Sequence, residues 1–176
     1  MDHNEFFQKL LATYRDSYNI EENFRVGNNI YDADAFLDVS TSRYVLVKKA
    51  EIWRTDCYEH VFITHREQIV PDDIYLWEDQ VASDIEPRLV RGGEATMPKD
   101  HMSSFVTGVF ITNGPVDVDT ANAVRDVRFY KNYKMSLRGY CQARAVLIDL
   151  KYRRVYGNRA AHDMVKDLRK SMRSLK

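Results

Sequence analysis

Ser103 to Thr112 restricts the fold of this chain more than any other stretch. Ser-Ser-Phe-Val-Thr-Gly-Val-Phe-Ile-Thr is almost continuously apolar. A strand with one face in water alternates apolar and polar residues, whereas a strand covered on both faces reads as an unbroken apolar run, as at the centre of a partly parallel sheet. The segment is therefore expected to be a buried central strand, with helices supplying the cover on either side. Asn113-Gly114-Pro115 ends it. Asp117 or Asp119 can then cap a helix running to about Tyr130, with Ala121, Val124 and Val127 or Arg128 along its inner side. Strand, turn and capped helix together make a βα unit.

The flanking sequence fits such a centre. Phe6, Phe7, Leu10, Leu11 and Tyr14 recur at helical spacing within residues 4–18, which predicts an amphipathic first helix. From Asn19 the period changes to two, and Gly27-Asn28-Asn29 reverses the chain. Residues 30–40 alternate, with Tyr31, Ala33, Ala35, Leu37 and Val39 on one face and Asp32, Asp34, Phe36 and Asp38 on the other. Residues 44–53 and 57–64 follow as two further strands, so 30–64 reads as an antiparallel three-strand meander. Pro71-Asp72-Asp73 starts a helix whose face of Ile74, Trp77, Val81 and Ile85 lasts until Pro87, and residues 88–101 read as a loop. Leu137 to Leu150 is a strong strand, Val155-Tyr156 a hairpin return, and residues 159–172 a last helix with Ala161, Met164, Val165 and Leu168 inward. The fold class is α+β: one domain over residues 1–176, with a mixed sheet, a meander, a buried central strand and flanking helices.

Length and composition agree. The chain has 176 residues, within the range of about 100–200 expected for one domain. Its 44% hydrophobic and 30% charged residues argue against disorder. No apolar run approaches the roughly 20 residues of a membrane span, and Met1-Asp2-His3-Asn4-Glu5 lacks the basic and apolar segments of a signal peptide, so a cytoplasmic protein without membrane contact is expected. Cys57 and Cys141 sit in strand patterns without metal-site spacing and are expected to be free, buried thiols. Net charge is zero, yet residues 1–88 hold 9 Lys/Arg against 18 Asp/Glu and residues 89–176 hold 17 against 8. Either the halves lie against each other, within one molecule or across a homodimer, or the second half presents a basic face to a polyanion.

No dinucleotide, P-loop, serine-esterase or zincin motif is present. The five histidines are dispersed, and the odd separation of His60 and His65 would put them on opposite faces of one strand. Asp32, Asp34 and Asp38 on one strand face, with Lys48, Lys49 and Glu51 nearby, offer hard oxygen ligands and cations suited to a magnesium or manganese site; a solvated face paired with lysines is the simpler reading. Tyr130, Tyr133 and Tyr140 interleave with Arg128, Lys131, Lys134, Arg138 and Arg144, a pattern that can stack bases and neutralise phosphates or form an ordinary charged edge.

The order helix, three-strand meander, helix, buried strand, helix, strand resembles the core of the restriction endonuclease-like superfamily, the PD-(D/E)XK nucleases. The segment from Thr107 to Arg125 is similar to the strand and helix that follow the site in Mrr-like members. The resemblance implies that Asp34 is the metal-binding strand aspartate and Lys48 the motif lysine. Leu46 and Val47 stand where the motif acid belongs, so Glu51, or Glu78 on the following helix, would have to supply that carboxylate, or the chain is an inactive relative. The Tyr-x-Leu-x-Lys-Lys and Thr-Gly-Val segments also resemble an uncharacterised family of small bacterial proteins.

Two function classes follow. The first is a non-enzymatic binding or assembly module on a nuclease-like scaffold. The second is a metal-dependent nuclease or nucleic-acid-binding protein, with Asp34 and Glu51 holding the metal, Lys48 assisting catalysis, and Arg128, Lys131, Lys134 and Arg138 on nucleic acid.

Overall fold

The computed structural model describes residues 3–38 and 56–174. Helix α1 spans His3–Tyr14, and strands β1 (Asn19–Val26), β2 (Asn29–Asp38) and β3 (Asp56–Arg66) form the antiparallel meander. Helix α2 (Pro71–Gln80) passes into a π-helical segment, Val81–Val90. Strand β4 (His101–Thr112), helix α3 (Val118–Asp126), strands β5 (Tyr130–Asn132), β6 (Tyr140–Asp149) and β7 (Arg154–Gly157), a 3-10 turn Arg159–Ala161 and helix α4 (His162–Ser174) complete the chain. The sheet order is β1-β2-β3-β4-β6-β5, and β7 also pairs with β6. Strand β4 runs parallel to both β3 and β6, so the apolar Ser103–Thr112 run is the central strand its composition requires.

Parallel neighbours need crossovers, and both β3-to-β4 and β4-to-β6 use a helix packed on the same side. There Ile74, Trp77 and Val81 meet Ala123 and Val124 over Phe62, Val106, Phe110 and Leu147. On the opposite face Phe6, Leu10 and Leu11 of α1 and Val165 and Met172 of α4 cover Val61, Ile63, Val109, Val146 and Ile148. The result is a helix–sheet–helix sandwich with two buried layers. At Gly108 the approach is so close that a Cβ would lie 2.7 Å from Trp77, so only glycine lets the indole lie against the central strand.

Four local expectations need correction. The meander is β1-β2-β3; the expected strand 44–53 lies outside the described residues, and at Asp34 both neighbouring positions in the sheet are occupied, by Glu21 and Phe62. The alternation of β2 breaks: Tyr31 packs with Phe62 on the α2 side, whereas Ala33 and Ala35 pack on the α1 side. Asn23, at φ 56°, drops out of the β1–β2 ladder opposite Asp32, and Asp32 accepts the His65 N–H through its carboxylate, so both strands switch faces there. The second helix does not stop at Pro87. The turn widens so that Arg91 N–H reaches the Glu86 carbonyl five residues back, and an i-to-i+5 pattern absorbs a proline that an α-helix would not. Finally, α3 ends at Asp126 because Val127 turns to φ −55°, ψ 124°, and Tyr130, expected as helix, opens the edge strand β5.

Candidate functional site

On the α2 side of the sheet, the rungs nearest the β2–β3 connection carry rings. Phe36 pairs with His60 across β2 and β3, and their rings stack with centroids 4.4 Å apart. His60 also stacks on Phe62, and Tyr58 on His101. Above this row lies a cavity of about 540 Å³, within the range of about 300–1,000 Å³ typical of small-molecule sites. Phe36, Tyr58 and His60 line it from the sheet; Leu89, Val90, Arg91, Thr96 and Met97 line it from the π-helical segment and the loop beyond, and Arg138 closes one side.

Asp34 shapes the floor. It is 3% exposed, and its Oδ2 lies 2.8 Å from His60 Nδ1. A carboxylate accepts only, so the neutral ring carries its proton on Nδ1 and leaves Nε2 as an acceptor on a residue lining the cavity. Among the described residues, Asp34 Oδ1 is buried without a hydrogen-bond partner, and so is the Thr96 hydroxyl.

Glu86 holds the cavity wall in place. It is fully buried, and its carboxylate accepts from Arg91 Nε at 2.6 Å, Lys131 Nζ at 2.8 Å and the Tyr133 hydroxyl at 2.8 Å. Burial pulls the Glu86 carboxyl up, but these donors outweigh it and hold the group below the usual carboxylate range. The same burial, with Glu86 nearby, pushes the Cys141 thiol up to about 12, which makes it an inert core side chain; Cys57 is also free but only partly buried.

A second polar cluster lies on the other face. Glu59 accepts from the Tyr18 hydroxyl at 2.7 Å, Thr107 at 2.9 Å and Arg144 at 3.3 Å, and the Arg144 guanidinium sits 3.5 Å from the centre of the Phe105 ring. It floors a groove of about 510 Å³ between α1 and α4. Burial and the Glu59 charge push the Tyr14 and Tyr18 hydroxyls well above the usual tyrosine range. The pairs Glu86–Lys131, Glu86–Arg91 and Glu59–Arg144 each join an acid from residues 1–88 to a cation from 89–176, so part of the charge division is matched inside the molecule.

Of the residues singled out by sequence, Asp34 is buried behind the cavity lining, bound to His60, which does line it. Lys48, Lys49 and Glu51 lie outside the described residues. Glu78 accepts the N–H groups of Arg128 and Phe129 and so fastens α2 to the end of α3. Arg138 donates to the Met97 carbonyl at the cavity, and Lys131 is tied to Glu86. Arg128 donates to the Arg125 carbonyl and approaches Asp126, while Lys134 is exposed in a left-handed turn at φ 49°. His60 and Glu86 are site residues that sequence reasoning missed, and Tyr133, read there as a ring among cations, instead donates to Glu86; 26 residues separate Asp34 from His60 and 47 separate Glu86 from Tyr133.

Among the described residues, no three His, Cys, Asp or Glu side chains cluster at metal-binding distance, and no helix is long and apolar enough to cross a membrane. No curated protein and no solved structure matches the chain at a significant level. One family model does match, over residues 2–170, and it covers nearly every element described above: the chain belongs to the family described as Domain of unknown function (DUF8052).

Proposed function

We propose that the protein is a binding module whose cavity over His60 takes a small planar molecule bearing an anionic group. The observation that carries this reading is the Asp34–His60 pair at the floor of a ring-lined cavity of about 540 Å³. Asp34 fixes the ring so that Nε2 can accept a hydrogen bond from a ligand donor. Phe36 and Tyr58 offer apolar ring surface, Arg138 has guanidinium N–H groups beyond the one directed at Met97, and the Thr96 hydroxyl has no partner among the described residues. Apolar walls with a few convergent polar groups are the usual composition of a small-molecule site.

The test is a nuclear magnetic resonance titration with a panel of aromatic carboxylates and nucleobase-containing anions, following the His60 ring nitrogens. A binder should shift Nε2 and lose affinity about tenfold or more in Arg138→Gln, the loss of one charge-assisted hydrogen bond. Binding that leaves the His60 signals unmoved would place the ligand elsewhere and defeat the proposal.

One observation favours a second reading. Among the described residues Asp34 Oδ1 is a buried carboxylate oxygen without a partner, as a metal ligand would be before its cation arrives. If Asp34 holds magnesium or manganese with Glu51 and Lys48 beside it, manganese should bind and single-stranded or duplex DNA should be cleaved. Asp34→Asn should abolish both, and cleavage that persists in this variant would remove the nuclease reading.

A further inference from the structure

A third depression lies away from the His60 cavity, where the end of α3 meets the start of the C-terminal helical run. Its volume is about 610 Å³, and of the described residues that line it three are arginines, Arg125, Arg128 and Arg159, and none is an acid. Phe129 and Gln142 also line it.

The arrangement follows from the fold. Arg125 lies in the last turn of α3, with its guanidinium 5.5 Å from the centre of the Tyr156 ring and one N–H on Asn122. Arg128 follows the helix end; its NH1 donates to the Arg125 carbonyl, and its NH2 is 3.4 Å from exposed Asp126, a weak pairing in water. Arg159 opens the 3-10 turn that leads directly into α4. Asn158 fixes the three relative to one another: its side chain accepts from Ala145 and Ala161 N–H and donates to the Val127 and Ala143 carbonyls, tying the end of α3, β6 and the helical start into one unit.

Three like charges around one depression repel one another. An anion that enters relieves that repulsion and gains donors from more than one side. A carboxylate offers two oxygens and one charge, which a single guanidinium fork satisfies. A phosphate monoester offers three oxygens and about −1.5 to −2 charge, which suits a three-arginine surface better. We infer that this depression binds the phosphate group of a phosphorylated ligand, independently of the His60 cavity.

The test is calorimetric titration of the whole chain with inorganic pyrophosphate, a nucleoside monophosphate and a short single-stranded oligonucleotide, at constant ionic strength in chloride. Saturable binding should appear and weaken about tenfold or more in Arg159→Gln, and further in Arg125→Gln with Arg159→Gln. Lys151→Gln, a charge change outside the depression, and His60→Gln should both leave it intact. If pyrophosphate and the nucleotide bind, the ligand is a small phosphorylated molecule; if only the oligonucleotide binds, with the same arginine dependence, the phosphate belongs to a nucleic-acid backbone. Absence of saturable binding for all three, or binding equal in wild type and Arg159→Gln, would overturn the assignment. Arg159 is exposed, so an unchanged melting curve for Arg159→Gln without anion should verify that the fold survives.

Discussion

Replacing Glu86 by glutamine should be among the most damaging single changes of polar residues in this chain. The wild-type carboxylate has no solvent exposure, and the Arg91 side chain that faces it is only 15% exposed, so a neutral amide leaves a nearly buried guanidinium without its counter-charge. Removing one partner of such a pair costs about 3–5 kcal/mol. Glutamine also points an NH2 group at donors that Arg91, Lys131 and Tyr133 already aim inward. By contrast, Tyr133→Phe deletes one hydrogen bond to a charged group, about 1.5–3 kcal/mol. Lys131 is 41% exposed and can turn into water, so Lys131→Met should cost below about 1 kcal/mol.

Urea unfolding followed by circular dichroism measures the series. The predicted order of loss is Glu86→Gln, then Tyr133→Phe, then Lys131→Met, with the denaturant slope unchanged. The sign of the pH dependence follows from the lowered Glu86 value: its stabilisation is full above the ordinary carboxylate range and is lost as pH falls through the folded-state value. Wild type should therefore lose its advantage over Glu86→Gln progressively below about pH 4.5. A Glu86→Gln loss under about 1 kcal/mol, or an advantage constant down to acid pH, would refute the account of this network.

Three further outcomes are expected. Gly108→Ala should destabilise by about 1–3 kcal/mol through overpacking against the indole, and near-ultraviolet dichroism should register the displaced Trp77 ring. Asn158→Asp, nearly the same shape, should cost more than about 3 kcal/mol because a carboxylate oxygen would face the Val127 and Ala143 carbonyls; a melting temperature near wild type would contradict the hydrogen-bond assignment. Asp34→Leu removes the acceptor from His60 Nδ1 and should free the ring to exchange tautomers, visible in the ring nitrogen shifts; shifts identical to wild type would contradict the pair.

The sequence reported the layers of this fold better than its site. The unbroken apolar run of β4, the helical spacing of Phe6, Leu10 and Leu11, and the Asp117 cap are local signals, and each element starts where its pattern placed it, although α1 ends at Tyr14 and α3 at Asp126, both short of the expected ends. The Asp117 carboxylate accepts the Thr120 N–H, as a cap does. Pro87 misled because proline excludes an α-helix but not a widened turn, and the alternation of β2 misled because a single left-handed residue on the neighbouring strand shifts which face follows. Asp34 was visible as an unusual acid in a strand, yet its partner was not, since only the β2–β3 register brings His60 beside it. Arg125 and Arg159 come from separate elements in the same way, and only the packing of α3 beside the helical start makes them one surface.

The face switch at Asn23 and Asp32 also bears on how the molecule comes apart. The β1–β2 hairpin sends Phe24, Val26 and Tyr31 into the layer beneath α2 and Ile20, Ala33 and Ala35 into the layer beneath α1. A sheet with two separate layers could in principle lose one while keeping the other, in two steps of hydrogen exchange. A hairpin threaded through both ties them, so detaching α1 loosens the very strands that help close the α2 side. The amides of the two layers should therefore become exchangeable together, and the domain should unfold as one cooperative unit rather than as a sheet shedding its covers in turn.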